Sequence, residues 1–278
     1  MKKTLLMGVI LALALAPAAW GAMDKGQIPK VLYENFKACK PVPLPSQHIK
    51  GLTVAGAYEI QGLIIAQHLK AGETVAGYKA GLTSAPAQKK FKAPGPASGV
   101  LLKSMQITGG VVDSKPYHKM MLEVEIGYIL GRDLNQPVTP EQAKAAVAKL
   151  CPAVEVPDLN FATFKGLTFA DIVADNVGAR GFILGKPVSP QGIDVNKVTG
   201  QLLMNGKPLG PPVPGKAALG DQWKALAWTL NNVLKTGGVI KTGMVVITGC
   251  LGRMRPGKPG SYQAVYTGGL GQLSFKVK

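Results

Sequence analysis

Along one stretch of the chain, Met120 to Leu130 (MMLEVEIGYIL), apolar and polar positions alternate with period two. Leu122, Val124, Ile126, Tyr128 and Leu130 take one set of positions, and Glu123, Glu125 and Gly127 take the other. That period predicts a β-strand with one apolar face and with both glutamates on the opposite face. Other segments carry helical spacing. Val54 to Leu69 places apolar residues at intervals of three and four and closes near Gly72, and Asp221 to Lys235 does the same ahead of Gly237-Gly238. Thr139-Pro140-Glu141-Gln142 has the spacing of a capping box with proline at the first helical position, which predicts a helix through Leu150. A short strand, Ala153 to Val156, then carries Glu155. Val75 to Leu82 (VAGYKAGL) reads as a strand entering a Gly-rich turn, and further strands are expected at 180–185, 199–204, 244–249, 261–266 and 271–277. Residues 85–98 (APAQKKFKAPGPAS) read as a mobile loop. Together these elements predict a strand-rich α+β domain with few helices.

The N-terminus has a separate pattern. Met1-Lys2-Lys3 is basic, Leu5 to Ala16 is almost unbroken apolar sequence, Pro17 breaks it, and small residues follow at Ala18, Ala19, Gly21 and Ala22. This is the layout of a secretory signal peptide, too short in its apolar run for a permanent anchor. The expectation is an exported protein, periplasmic in a Gram-negative source, cleaved near residue 22 and with no stable membrane insertion afterwards. The organisation expected is therefore a signal peptide at 1–22, a Lys- and Pro-rich N-terminal arm at 23–50 with a short helix near Val31 to Ala38, and one domain at 51–278.

Composition narrows the function classes. Hydrophobic residues make up 46% and charged ones 17%, as in a globular domain. The formal net charge of +17 could serve nucleic acid, anionic surfaces or acidic small molecules, but the lysines are scattered and no aromatic-basic interleaving appears. Nucleic-acid binding is not indicated, and a field that draws in small carboxylates fits better. Cys39, Cys151 and Cys250 are an odd number and show no metal-ligand spacing, so at least one is free or pairs between chains. His48, His68 and His118 form no catalytic set with a serine or cysteine, and His68 reads as structural.

Acidic residues number only 15, yet three of them stand in apolar strand contexts. Two carboxylates on one strand face repel, and burial would raise a pKa or recruit a cation. A third from Glu155 would complete an oxygen set suited to Mg²⁺ or Mn²⁺. On spacing alone, a solvated strand face bearing two unrelated glutamates is the simpler reading.

Longer motifs shift that balance. Gly77-Tyr78-Lys79-Ala80-Gly81-Leu82-Thr83-Ser84, the stretch Leu122 to Leu134, Pro152-Ala153-Val154-Glu155-Val156-Pro157-Asp158, Ala174-Asp175-Asn176 and Phe182-Ile183-Leu184-Gly185 occur in that order, followed by Asn205-Gly206, Thr248-Gly249 and Gly269-Leu270-Gly271. From about residue 50 onward the chain resembles the fumarylacetoacetate hydrolase superfamily, in its hydratase/decarboxylase branch typified by 2-keto-4-pentenoate hydratase. The resemblance implies a mixed β-sandwich or roll with a few flanking helices. It also implies a divalent ion, Mg²⁺ or Mn²⁺, held by Glu123, Glu125 and Glu155, with Lys79 beside it as the catalytic group. Asp158, Lys165, Asp171 and Asp175 fall where the branch places substrate-side groups, with Thr248-Gly249-Cys250 as a backbone-approach loop near the site.

The implied reaction is hydration of a 2-hydroxy-2,4-dienoate or 2-oxo-alkenoate by a homo-oligomeric enzyme. The chain departs from the branch pattern at Pro96-Ala97-Ser98, at Leu159-Asn160 and at Cys250-Leu251-Gly252. Two alternatives stand beside the hydratase: a metal-dependent 2-oxo acid decarboxylase, and a diverged, non-catalytic periplasmic protein that binds a keto acid and metal.

Overall fold

The computed structural model describes residues 23–278; the expected signal peptide and its cleavage site lie outside the described residues. In chain order the helices are α1 (Gln27–Lys37), α2 (Pro45–His48), α3 (Val54–Lys70), α4 (Ala85–Phe91), α5 (Pro140–Ala145), α6 (Phe169–Ala174) and α7 (Gln222–Lys235). The strands are β1 (Val75–Gly81), β2 (Ala97–Leu102), β3 (Val111–Val112), β4 (Met121–Leu130), β5 (Val147–Val156), β6 (Gly181–Leu184), β7 (Thr199–Met204), β8 (Lys207–Pro208), β9 (Val213–Pro214), β10 (Val245–Ile247), β11 (Arg255–Pro256), β12 (Gly260–Tyr266) and β13 (Gly271–Val277).

Two mixed sheets result, as expected for a strand-rich roll with flanking helices. The first has the order β2-β1-β10-β4-β5-β6, with β11 also paired to β4. Its β1–β10 pair is parallel and its other pairs are antiparallel. The second sheet runs β3-β13-β12-β7-β8, with β9 on β7. Leu122, Val124, Ile126 and Tyr128 project from β4 into an apolar cluster shared with Tyr262, Ala264, Leu273 and Phe275 of the second sheet. Each such side chain, fully buried, contributes about 1.5–3 kcal/mol. The alternation along β4 thus turns Glu123 and Glu125 away from the inter-sheet core.

Gly77 makes the parallel pairing possible. A Cβ there would stand 1.8 Å from the Val245 carbonyl oxygen, so any side chain would force β1 and β10 apart.

Helix α7 adds Leu226, Leu230 and Val233 to the inter-sheet cluster, while α1, α2, α3 and α6 gather around a separate one. Ile28, Leu32, Val42 and Leu44, from the segment read as an arm, are buried with Ile60 and Ile64 of α3 and with Phe169 and Val173 of α6. Among the described residues no helix is long and apolar enough to cross a membrane.

Several local expectations need correction. Residues 85–91, read as loop, form α4: the Ser84 hydroxyl accepts from the Ala87 N–H at 3.4 Å and Pro86 occupies the first turn, a start signal hidden in a Pro- and Lys-rich stretch. The capping box at Thr139 and Gln142 forms, but its helix stops at Ala145 rather than Leu150. From Val147 the backbone pairs with β4 instead, and eight paired positions of ladder outweigh local helix propensity. Asp171, expected among the substrate-side groups, stands in α6 and closes a second capping box with Thr168.

Candidate metal and acid–base centre

Antiparallel pairing of β4 with β5 sets Glu123 directly opposite Glu155, and Glu125 opposite Ala153. Directly opposed residues share a face, as do residues two apart on one strand, so the register alone collects the three glutamates. One oxygen from each carboxylate lies within 4.8 Å of the others. Glu125 and Glu155 have no solvent exposure, and Glu123 is half-buried.

Lys79, on β1, is buried beside them. Its ammonium donates to Glu155 Oε1 and to the Val177 carbonyl, the latter at 2.9 Å. That carbonyl is delivered by an uncommon turn in which Asn176, Val177 and Gly178 all take positive φ (52°, 56° and 68°). A β-branched residue there is strained. The Asn176 side chain pins the turn by bonding both the N–H and the carbonyl of Val100, at 2.7 and 2.9 Å. The motif Ala174-Asp175-Asn176 gave no hint that the turn after it aims a carbonyl at Lys79; the available signal was Asn followed two residues later by Gly.

Glu125 is held from the far side. Its Oε2 accepts the Gly249 N–H at 2.7 Å, in the loop expected to approach the site by its backbone. Gly249 has φ 104°, and a Cβ on it would lie 2.2 Å from Thr83 Oγ1, so this donor position requires glycine. Beneath the cluster, the Tyr266 hydroxyl lies 2.8 Å from the Glu125 carbonyl and 2.6 Å from that of Ala153, tying the second sheet to this point of the β4–β5 ladder.

Electrostatics follow from burial. Desolvation raises the pKa of Glu123, and it raises that of Glu125 well above the usual range with help from the charges of Glu155 and Glu123. Glu155 is pushed up to about 7 by burial despite the opposing charge of Lys79. Burial alone would lower the Lys79 pKa, but Glu155, then Glu123 and Glu125, hold it above its ordinary value. Fully ionised, the group has two negative charges in excess. Glu125 Oε1 and Glu155 Oε2 are buried and have no hydrogen-bond partner. Unpartnered buried carboxylate oxygens are costly, and a hard divalent cation satisfies both the lone pairs and the charge. The residues present therefore fit Mg²⁺ or Mn²⁺.

The other sequence candidates lie outside this group of three carboxylates. Asp158 accepts from the His118 N–H at 3.0 Å and the Lys119 N–H at 2.6 Å, holding that loop against β5. Asp175 lines a cavity of about 20 Å³ together with Asp158, Asn160 and Arg180. Burial and then the charge of Asp158 raise the Asp175 pKa well above the usual carboxylate range. Lys165 is exposed. Asp171 is fully buried and accepts from Ser46 and Thr168, which ties α2 to α6. His68 is packed edge-on against Tyr33 and Phe36, with burial lowering its pKa, in keeping with a structural role. The three cysteines are free.

Comparison with known proteins defines the class first. The curled two-sheet fold is that of the fumarylacetoacetate hydrolase superfamily: a Yersinia pestis protein of that family superposes with a TM-score of 0.57 at 12% identity, over 72% of this chain and 92% of that one. The 4-oxalocrotonate decarboxylase of Pseudomonas putida G7, solved with magnesium and adipate, superposes with a TM-score of 0.84 at 25% identity, over 92% of this chain and 99% of that one. In sequence, the chain is 31% identical to the 2-keto-4-pentenoate hydratase of Paraburkholderia xenovorans, over 87% of this chain and 90% of the relative. It is also 31% identical to the 2-hydroxyhexa-2,4-dienoate hydratase of Comamonas testosteroni, over 88% and 94%. The chain belongs to the 2-keto-4-pentenoate hydratase family. No protein-family model matches it. A non-catalytic keto-acid binder, one of the alternatives from sequence, finds no support among these relatives, which are named as enzymes.

Proposed function

We propose that the protein is a metal-dependent hydratase that converts a 2-hydroxy-2,4-dienoate into a 4-hydroxy-2-oxo acid. The observation that carries this reading is the pair of unpartnered oxygens, Glu125 Oε1 and Glu155 Oε2, beside the buried Lys79 ammonium. Glu123, Glu125 and Glu155 would hold Mg²⁺ or Mn²⁺, which when bound supplies a Lewis acid for the carboxylate and 2-oxygen of the substrate.

The remaining chemistry belongs to side chains. In the reaction the dienoate loses its enol proton and gains one at the terminal carbon; water then adds across the remaining double bond, with oxygen at C4 and hydrogen at C3. Lys79 Nζ is the group suited to hold and return these protons. Two of its three N–H donors are committed to Glu155 and Val177, which leaves one to meet a substrate oxygen. Gly249 keeps Glu125 from rotating away, so its second oxygen stays turned to the cation position. Burial excludes bulk water and keeps these interactions strong.

The test is an assay with 2-hydroxypenta-2,4-dienoate and added Mg²⁺ or Mn²⁺, following loss of the diene absorbance and formation of 4-hydroxy-2-oxopentanoate. Metal binding without conversion would remove the hydratase reading. A second reading, 2-oxo acid decarboxylation, is favoured by the similarity to the decarboxylase from P. putida G7. It passes through the same enolate, and carbon dioxide release from 4-oxalocrotonate distinguishes it.

The same proposal extends to export and assembly. A leader at 1–22 predicts a periplasmic fraction whose N-terminal residue lies near 22, and a homo-oligomer predicts a native mass that is a multiple of the chain.

A further inference from the structure

The opposite face of β4 borders a cavity that the proposed reaction does not use. Leu122 and Val124, which alternate with the glutamates, line it together with Leu202, Leu209, Val213 and Leu251. Its volume is about 510 Å³, within the range of small-ligand sites. It opens between the two sheets, where Gly200 brings β7 close: a Cβ there would stand 2.8 Å from Val124 Cγ1 and 2.9 Å from Leu251 Cδ1.

Two arginines, Arg253 and Arg255, also line this space. Neither guanidinium has an ion-pair partner among the described residues, where the ion pairs are Lys79–Glu155, Lys197–Asp194 and Lys241–Asp133. Arg253 is exposed, but Arg255 is half-buried and lies against Gly210, where a Cβ would come within 2.4 Å of Nη2. A half-buried guanidinium with five donors and no acceptor is a costly arrangement, and an anion relieves it. The fork matches a carboxylate in bidentate geometry. Apolar walls beyond the fork require that this carboxylate carry an apolar body.

We infer that the inter-sheet cavity is a second ligand site, separate from the glutamate centre, that takes a small amphipathic monocarboxylate, with Arg253 and Arg255 on the carboxylate and the leucine and valine walls around an aryl or branched alkyl group. The inference does not depend on the hydratase reading. It does place a ligand one strand thickness from the metal centre: the Leu251 N–H donates to the Val124 carbonyl at 2.7 Å, two residues along from the Gly249 donor to Glu125.

The experiment titrates the full protein with 4-phenylbutyrate by calorimetry, in parallel with the neutral 4-phenylbutanol. It is repeated on Arg253→Gln, Arg255→Gln, the double variant and Glu123→Gln, with native mass recorded throughout. The expected result is one molecule per chain, with the alcohol bound at least tenfold more weakly. Binding falls at least tenfold in Arg255→Gln and is unchanged in Glu123→Gln. Equal affinity for acid and alcohol, no saturable binding, or undiminished binding in the double variant overturns the site. Loss of binding in Glu123→Gln also overturns it, because the acid would then occupy the glutamate centre. A native mass that falls in the arginine double variant without ligand overturns it as well, assigning the cavity to a second copy of the chain.

Discussion

Lys79 Nζ donates to the carbonyl oxygen of Val177 at 2.9 Å, and Val177 is a branched residue held at φ 56°. The strained turn does for the ammonium what Glu155 cannot do alone. It fixes a second direction, so that the third N–H points along a determined line. Replacing Lys79 by methionine keeps much of the volume and removes every proton. Turnover of the dienoate is expected to fall by roughly 10²–10⁴, the usual range for a positioned acid–base group. Binding of Mn²⁺, read by electron paramagnetic resonance, is expected to persist, because the three carboxylates remain and lose a competing cation. Full activity in Lys79→Met would transfer the acid–base role elsewhere.

Glu125→Gln separates charge from shape. The amide oxygen can still accept from Gly249, while one of three mutually repelling buried carboxylates is gone. The metal-free variant is expected to be more stable than wild type by on the order of 1 kcal/mol, about one pKa unit of relieved repulsion. The rise in melting temperature on adding Mg²⁺ or Mn²⁺ should disappear. A variant that still melts higher with metal would mean that Glu125 is not a ligand.

The pH dependence has a definite sign. The pKa of Glu155 rises from 4.5 to about 7 on folding, so the folded state binds the proton more tightly than the unfolded one. Its contribution to stability is complete below about 4.5 and is lost as pH climbs through about 7. Metal-free protein should therefore become less stable across that window, whereas affinity for the cation should increase, since the cation competes with the same protons. Denaturant titrations at several pH values, with chelator or with Mg²⁺, check both slopes; a metal-free protein that gains stability over this interval would contradict the assignment.

Gly249→Ala tests the backbone support. The new methyl would collide with Thr83 and require a left-handed alanine, so the N–H should leave Glu125. Losing a hydrogen bond to a charged group costs about 1.5–3 kcal/mol. Metal affinity is expected to fall roughly ten- to hundredfold with all three carboxylates intact. Calorimetry gives the number, and circular dichroism shows whether the fold has survived.

How far the site was readable depends on what kind of information each part needs. The glutamate face was legible because a period of two is a local property of β4, and the approach of the Gly249 loop followed from motif order. The helix α4 was not, since Pro86 and three lysines within 89–92 read as breaker and solvent while the decisive signal was one hydroxyl on Ser84. The helix-to-strand change at Val147 is decided by pairing with β4, which no local window contains. The carbonyl of Val177 is less accessible still: it is backbone, in a conformation that valine disfavours, and Asn176 helps to hold it there by bonding to Val100, 76 residues away. Asp158 and Asp175 could be found as acidic residues, but the backbone partners of Asp158 and the cavity the two share could not.

The parallel seam between β1 and β10 in the first sheet also dictates an order of assembly. Lys79 sits beside Ile247 there, and β10 is the strand that separates β1 from β4. A nascent chain that has emerged as far as Glu155 already holds every charged side chain of the centre, yet it cannot bring Lys79 to them, because the central strand is still some ninety residues from being made. Closing a loop that long is slow. Until it closes, the acidic ladder and the lysine belong to separate pieces of structure, so the Lys79–Glu155 pairing on which proton transfer rests arrives late and all at once.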